Sequence, residues 1–143
     1  MENASFREWT IYFACYRYNR FKGDIIVNDR GNNCVQKFDP DGNFLLKFGS
    51  LGTDNSQFSE VKHMATDKFN NIYVNDPQLG VNGSGKPSVK KFDTKGDFIR
   101  KFGSLGKGNR QFTDPEHLAI DSDGNFYVSD RKANTITVFK PVG

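Results

Sequence analysis

The sequence predicts an all-β fold assembled from repeated four-stranded units. Three observations carry this: an internal repeat, short strand-like segments bounded by turn residues, and the placement of 14 Phe and 14 Gly in 143 residues. The repeat is the strongest. Lys37-Phe38-Asp39 recurs as Lys91-Phe92-Asp93, and GNFLLKFGSLG at 42–52 recurs as GDFIRKFGSLG at 96–106. Gln57-Phe58 recurs as Gln111-Phe112, and His63–Asp67 as His117–Asp121, each pair 54 residues apart. Val27-Asn28-Asp29, Val74-Asn75-Asp76 and Val128-Ser129-Asp130 are spaced by 47 and then 54. The extra seven residues are an insertion in the middle copy, within PQLGVNGSGKPS at 77–88. Self-similarity at a fixed period of this size marks a repeat architecture.

Each unit holds four strand-like segments in order. In the second copy, strand a is His63–Asp67, strand b Asn71–Asp76, strand c Ser88–Asp93 and strand d Asp97–Gly103. All are rich in Val, Ile, Phe and Tyr and are bounded by Gly, Asn, Asp or Pro. No stretch sustains a 3.6-residue period. Four short strands per unit of this length predict a β-propeller blade rather than a helical solenoid. Stacked blades bury both faces of a strand, which explains Ile72-Tyr73-Val74 and Phe126-Tyr127-Val128 on strand b. Strand c offers Val35 and Phe38, Val89 and Phe92, Ile136 and Phe139. Ala65 and Ala119 put a small side chain on the crowded innermost strand. Nine Phe fall at matched sites: 38, 92 and 139; 44 and 98; 48 and 102; 58 and 112. The Phe excess is therefore repeat core.

Composition removes several classes. No apolar run approaches the ~20 residues of a membrane-spanning helix, and two cysteines are no disulfide framework. Cys15 and Cys34 are expected as free thiols. A net charge of +3 implies neither a nucleic-acid nor a membrane surface by itself. The N-terminal apolar stretch Trp9–Tyr16 lacks a basic leader and a small-residue cleavage site, so no signal peptide is expected. The compartment stays open, with the cytoplasm favoured on that ground.

The motif F-x-x-P-x-x-[LI]-A-[IV]-D-x-x-G-N-x-Y-V-x-D, followed by V-x-x-F-D-x-x-G-x-F-x-x-K-F-G-S, resembles the NHL repeat. Phe112, Pro115, His117–Asp121, Gly124–Val128 and Asp130 carry it, as do Lys37–Asp39, Gly42 and Lys47–Ser50. The resemblance covers about 23–143. It implies a propeller, usually of six blades, that binds protein or RNA. The middle copy departs from it at Ser59-Glu60-Val61 and in its insertion. On this basis 1–22 is a divergent N-terminal segment. Residues 23–58 form repeat 1, 59–112 repeat 2 with the insertion at 77–88, and 113–143 repeat 3 without its last strand. Phe13-Ala14-Cys15 is expected as a degenerate strand a, with Arg17–Lys22 as a long a–b loop.

Candidate chemistry is sparse. DPDGN (39–43), DTKGD (93–97) and DSDGN (121–125) resemble Ca²⁺ loops but lack the downstream ligands and the closing Glu. Between two strands, Asp and Gly at these spacings make tight hairpins. FGSLG ends a strand and precedes no helix, so it is no phosphate loop; Gly49, Gly52, Gly103 and Gly106 are turn glycines. His63 and His117 begin successive inner strands and could share a metal. Zinc-binding propeller lyases place His near this position, but the matching residue here is Glu116, and there is no third His. No catalytic residue, metal or cofactor is expected.

An up-down sheet sends its a–b and c–d hairpins to one side and its b–c and d–a loops to the other. The latter are long, and long loops on a rigid scaffold carry function. The candidate binding residues on that face are Arg30, Lys62, His63, Lys86, Lys107, Arg110, His117, Arg131 and Lys132. Matching acids (Asp54, Glu60, Asp114 and Glu116 among them) mix the charge, which favours a protein partner over RNA. Asp29, Asp76 and Asp130 are expected to cap the b–c turn. The expected function is a non-enzymatic scaffold for protein–protein interaction. RNA binding is the alternative, and a fragment of a propeller hydrolase or lyase with a metal in the central channel is a second. No membrane partner is expected. Three blades do not close a ring, so either two copies complete a six-bladed ring or the chain is part of a longer propeller.

Overall fold

The computed structural model of the chain describes residues 14–19 by their backbone path, and residues 23–78 and 85–141 in full. Three antiparallel sheets follow one another along the sequence. The first is β1 (Ala14–Asn19), β2 (Ile25–Asp29), β3 (Cys34–Phe38) and β4 (Phe44–Phe48). The second is β5 (His63–Thr66), β6 (Ile72–Asp76), β7 (Ser88–Phe92) and β8 (Phe98–Phe102). After a short parallel pair, β9 (Ser104–Leu105) with β10 (Gln111–Phe112), the third is β11 (Pro115–Ile120), β12 (Phe126–Asp130) and β13 (Thr135–Phe139). Strands within each sheet lie in sequence order. This is the β-propeller blade that the repeat predicts. No α-helix occurs among the described residues, and none there is long and apolar enough to cross a membrane.

The N-terminal expectation needs one correction. Arg17, Tyr18 and Asn19 pair with Val27, Ile26 and Ile25, so they belong to strand a and not to a long a–b loop. The alternation of aromatic and charged residues in Tyr16-Arg17-Tyr18 suits a pleated strand better than a loop. Trp9–Phe13 and residues 79–84 of the insertion lie outside the described residues, as does the Cys15 side chain. Cys34 is a buried free thiol, and burial pushes its pKa up to about 11.

Register makes the sheets superimposable in kind. Ile25 faces Phe38 in the first, Ile72 faces Phe92 in the second, and Phe126 faces Phe139 in the third. The same positions then meet across each interface. Ile26 and Val35 of the first blade pack on Met64, Ile72, Val74 and Phe92 of the second. One step on, Ala65, Tyr73 and Val89 of the second pack on Leu118, Phe126, Val128 and Phe139 of the third. Each interface is plugged by the Phe of the preceding d–a loop, Phe58 in the first and Phe112 in the second, both fully buried. The plug leaves no room at the strand end. A Cβ at Gly49 would lie 2.4 Å from the Phe58 ring, and one at Gly103 would lie 2.2 Å from Phe112, both at positive φ. Ala65 is buried as expected of an inner residue, whereas Ala119 is exposed because no described blade covers that face.

The d–a loops are built twice to one plan. Phe58 N–H donates to Ser50 O and Gly52 N–H to Phe58 O, and Gly106 N–H donates likewise to Phe112 O. The Gln57 and Gln111 side-chain oxygens accept the Asp54 and Gly108 N–H groups. Each loop is then gripped by the carboxylate at the end of strand b. Asp76 accepts Ser59 N–H and, at 2.7 Å, the Ser59 hydroxyl. Asp130 accepts Thr113 N–H at 2.6 Å, its hydroxyl at 2.7 Å and Asp114 N–H at 3.1 Å. Both also cap the b–c turn, through Gln78 N–H and Ala133 N–H. The capping expected from sequence is thus one half of their work; gripping the loop is the other. In the first blade Asp29 takes Asn32 and Gln36 side-chain amides.

Lys90 completes the second grip. It is 1% exposed, lies 3.0 Å from Asp76, and donates to the Gln57 and Asp54 carbonyls. Removing one partner of such a pair leaves a buried charge uncompensated, which costs about 3–5 kcal/mol. Asp76→Ala is therefore expected to lower unfolding free energy by about that amount in urea titration, and Asp76→Ala with Lys90→Met to recover much of it. A single-variant loss under about 1 kcal/mol would contradict the grip.

Where the inner strands of blades two and three meet, the His63 and His117 rings lie 4.8 Å apart. His63 Nδ1 accepts Leu118 N–H at 3.3 Å, which fixes the neutral tautomer with the proton on Nε2. Burial, and then the His117 charge, hold the His63 pKa below its ordinary value. The stability this implies is complete above the unfolded-state value of about 6.5 and is lost as pH falls through the lower folded value. Thermal unfolding between pH 7.5 and 5 should show a falling midpoint that His63→Gln flattens; an unchanged slope would exclude His63 as its source.

Candidate functional site

The b–c and d–a loops gather at one end of the sheets, as antiparallel pairing requires, and nine proposed residues can be placed there. Three are committed to intramolecular ion pairs, two of them across blades. Arg30 pairs with Glu60 of the next loop, and Lys62 lies 3.2 Å from Glu116. Arg131 donates from both Nε and Nη2 to Asp114 Oδ2, at 3.0 and 2.7 Å, with Glu116 3.9 Å away. The Asp114 carboxylate raises the Arg131 pKa further. Arg30 and Lys62 therefore tie one blade to the next, and Arg131 ties the b–c turn of the third blade to the loop that enters it. His63 is half-buried against His117, which is exposed. Lys86, Lys107, Arg110 and Lys132 are exposed and form no ion pair among the described residues.

The face is thus less basic in effect than its residue count. Sequence reasoning missed its apolar points: Leu51 is 69% exposed and Leu105 44%. They occupy one position in the two d–a loops, each between Ser50 or Ser104 and a glycine. The loops are pinned by their own Gln side chains and by Asp76 or Asp130, so two leucines stand out on a rigid frame. The repeated G-S-L-G carries the signal, but turn chemistry explains its glycines and says nothing of the leucine's exposure.

The acidic turns spend their carboxylates on closing the hairpin. Asp39 accepts Asp41 N–H, Asn43 N–H and the Asn43 amide. Asp93 and Asp121 repeat the pattern toward residues two and four ahead. The Asn43 and Asn125 hydrogen bonds hold the Asp39 and Asp121 carboxyls below their ordinary pKa. Asp67 forms the same turn with Phe69 and Asn71, with Asn70 at φ +68° in place of glycine. At the inner strands, the His63 Nδ1 lone pair is taken by Leu118 N–H. No group of three His, Cys, Asp or Glu that could hold a metal occurs among the described residues.

A second concavity lies at the outer edge of the third blade, with a volume of about 580 Å³. Phe102, Phe126, Phe139 and Val138 give it an apolar floor. Arg100, Lys101, Arg110 and Lys140 surround it.

Comparison with known proteins places this architecture. The NHL repeat family profile matches residues 112–139. Protein brain tumor of Drosophila melanogaster is 25% identical over 122 residues, covering 85% of this chain and 11% of that protein. NHL repeat-containing protein 3 of Mus musculus is 27% identical over 124 residues, covering 81% of the chain and 34% of that protein. The chain therefore spans a minor part of either relative. Among solved structures, a streptogramin B lyase superposes with a TM-score of 0.61 at 16% identity, over 89% of this chain and 37% of the lyase. A Bacteroides thetaiotaomicron protein of unknown function gives 0.59 at 17% identity, over 82% and 33%. At these identities the structural likeness speaks for the fold alone. Repeat motif, sheet order and relatives agree that residues 112–139 carry an NHL repeat, that the chain is similar to NHL-repeat proteins, and that it folds as β-propeller blades.

Proposed function

We propose that the chain is a non-enzymatic binding module that engages a protein partner through its long-loop face. The observation that carries this is the pair Leu51 and Leu105, exposed at one repeat position on two pinned loops. Apolar side chains displayed on a rigid frame lose little entropy on binding and supply the buried contact that a protein interface needs. The surrounding charge is mixed, and Arg30, Lys62 and Arg131 are spent on intramolecular pairs. Lys86, Lys107, Arg110 and Lys132 would frame the contact. An RNA surface would have to draw on Lys86, Lys107, Arg110 and Lys132 alone, which are spread over three separate loops. The lyase alternative would need a metal held by more than the His63–His117 pair.

Closure of the arc by a second copy, or by further blades, rests on the exposed end face of the third blade. There Ile136 is 69% exposed, at the position where Val35 and Val89 are buried in the preceding blades. Light scattering at micromolar concentration reads the first arrangement: the mass of two chains supports a ring, and the mass of one contradicts it.

For the binding reading, the immobilised chain is expected to retain its partner at high salt and after RNase treatment. Leu51→Asp with Leu105→Asp should lose it without a change in melting temperature. Loss of capture after RNase, or a steep fall with salt that spares the leucine variant, would overturn it in favour of RNA.

A further inference from the structure

The two d–a loops share one backbone plan and differ in what they display. The first pairs Leu51 with Phe58, and the second pairs Leu105 with Phe112. In each, a glutamine closes the turn from inside. Its amide donates to Ser50 or Ser104 Oγ at 3.4 Å, and its oxygen accepts a loop N–H. The outward positions do not repeat. Thr53-Asp54-Asn55-Ser56 in the first loop becomes Lys107-Gly108-Asn109-Arg110 in the second, and all of these residues are exposed.

The neighbouring b–c turns sharpen the contrast. Gln78 Nε2 donates to Thr53 O, and Lys86 N–H to Gln78 O, so Lys86 belongs beside the first loop. Arg131 donates to Asp114 from its backbone N–H and from its side chain, so Lys132 belongs beside the second. Around Leu51, then, the acid Asp54 stands against the cation Lys86, and neither forms an ion pair among the described residues. Around Leu105 stand three cations in the same condition: Lys107, Arg110 and Lys132. The acids on that side, Asp114 and Glu116, are already held by Arg131 and Lys62.

Arg110 is kept in place against a backbone preference. Its φ is +60°, the left-handed region that costs an L-residue free energy. Asn33, Asn70 and Asn134 hold other such positions, and Ser56, the counterpart of Arg110, does not adopt this conformation. A long cation where Asn or Gly fits with less strain is an outlier of the kind that collects at functional surfaces.

We propose that the segment bound by the loop face is acidic and is read at the second loop. An apolar side chain of the partner protein packs on Leu105, and carboxylates beside it meet Lys107, Arg110 and Lys132. Leu51, in balanced surroundings, takes an apolar residue with no charge requirement. The contact thus has a direction, with its acidic end toward the third blade. This rests on the leucine contact proposed above and adds the partner's chemistry to it. RNA would suit the cations but not the centre of the contact, because leucine offers no aromatic face for base stacking. Among the described large apolar residues the exposed aromatic is Phe69, in an a–b hairpin on the far side. An acidic peptide with an apolar residue uses both features.

The test uses the whole chain and labelled synthetic peptides, read by fluorescence anisotropy at physiological salt. GEELFEEG is the acidic probe; GQQLFQQG and GKKLFKKG keep the apolar pair and change the charge. The acidic peptide should bind about tenfold more tightly than the neutral one, and the basic peptide least tightly. Lys107→Thr with Arg110→Ser installs the first loop's residues on the same backbone plan. This variant should weaken the acidic peptide by about tenfold, leave the neutral one unchanged and keep the melting temperature. Thr53→Lys with Ser56→Arg should strengthen the acidic peptide. Equal binding of all three peptides, lost in Leu105→Asp, would overturn the acidic preference and leave the leucine contact standing. Acidic-peptide binding that survives Leu105→Asp would overturn the leucine contact and this proposal with it. Absent binding of the acidic peptide would overturn the proposal. So would tighter binding of a short oligouridylate than of that peptide, which would favour RNA.

Discussion

Asp76 and Asp130 are the points on which the stacked arrangement depends. Each ends a central strand, where the chain turns back toward strand c. Each accepts hydrogen bonds from the loop that arrives from the preceding blade. That loop carries the Phe plug of the interface, so the carboxylate sets the position of a buried ring that it does not touch. Fixing Ser59 or Thr113 fixes Phe58 or Phe112 one residue earlier, and the ring then fills the space that Gly49 or Gly103 leaves. The stack is thus held by polar geometry that aims apolar groups. A carboxylate suits the place because it accepts several N–H and O–H donors at once. In the second blade its charge is balanced by Lys90 without recourse to solvent.

Repetition of one interface makes departures from it informative. The two d–a loops share a backbone plan and an exposed leucine, yet the balanced charge beside Leu51 becomes three cations beside Leu105. The change falls on the loop face. Three of its cations are held in intramolecular pairs, and two leucines stand out among the remaining exposed residues.

Much of this was legible in the sequence. Period and turn residues placed the second blade's strands within one or two residues, because Gly, Asn and Asp mark where a strand must stop. The turn role of the DxxG motifs followed from their position between strands, and the hydrogen-bonded carboxylates account for it. Charge was harder to read. Arg30, Lys62 and Arg131 look like a binding rim in one dimension, but their partners Glu60, Glu116 and Asp114 sit on the neighbouring loop or blade. Residue type alone does not say whether a cation faces outward or across an interface. The missing stretch of strand at Arg17–Asn19 escaped for a related reason. Its charged residues alternate with aromatics over a span too short to distinguish a strand from a loop. Leu51 was visible as a repeated letter, but its exposure is a property of the folded loop.

The account makes the carboxylate grip the source of order in the connecting loops, and residue-resolved amide hydrogen exchange reads that directly. In the wild-type chain the amides of Ser59, Thr113 and Asp114 are expected to exchange with the slow core strands, although they lie in loops. Asp130→Asn should release Thr113 and Asp114 and leave Ser59 protected, since Asp76 still holds it. Fast exchange at these amides in the wild type, or no change in the variant, would contradict the central claim.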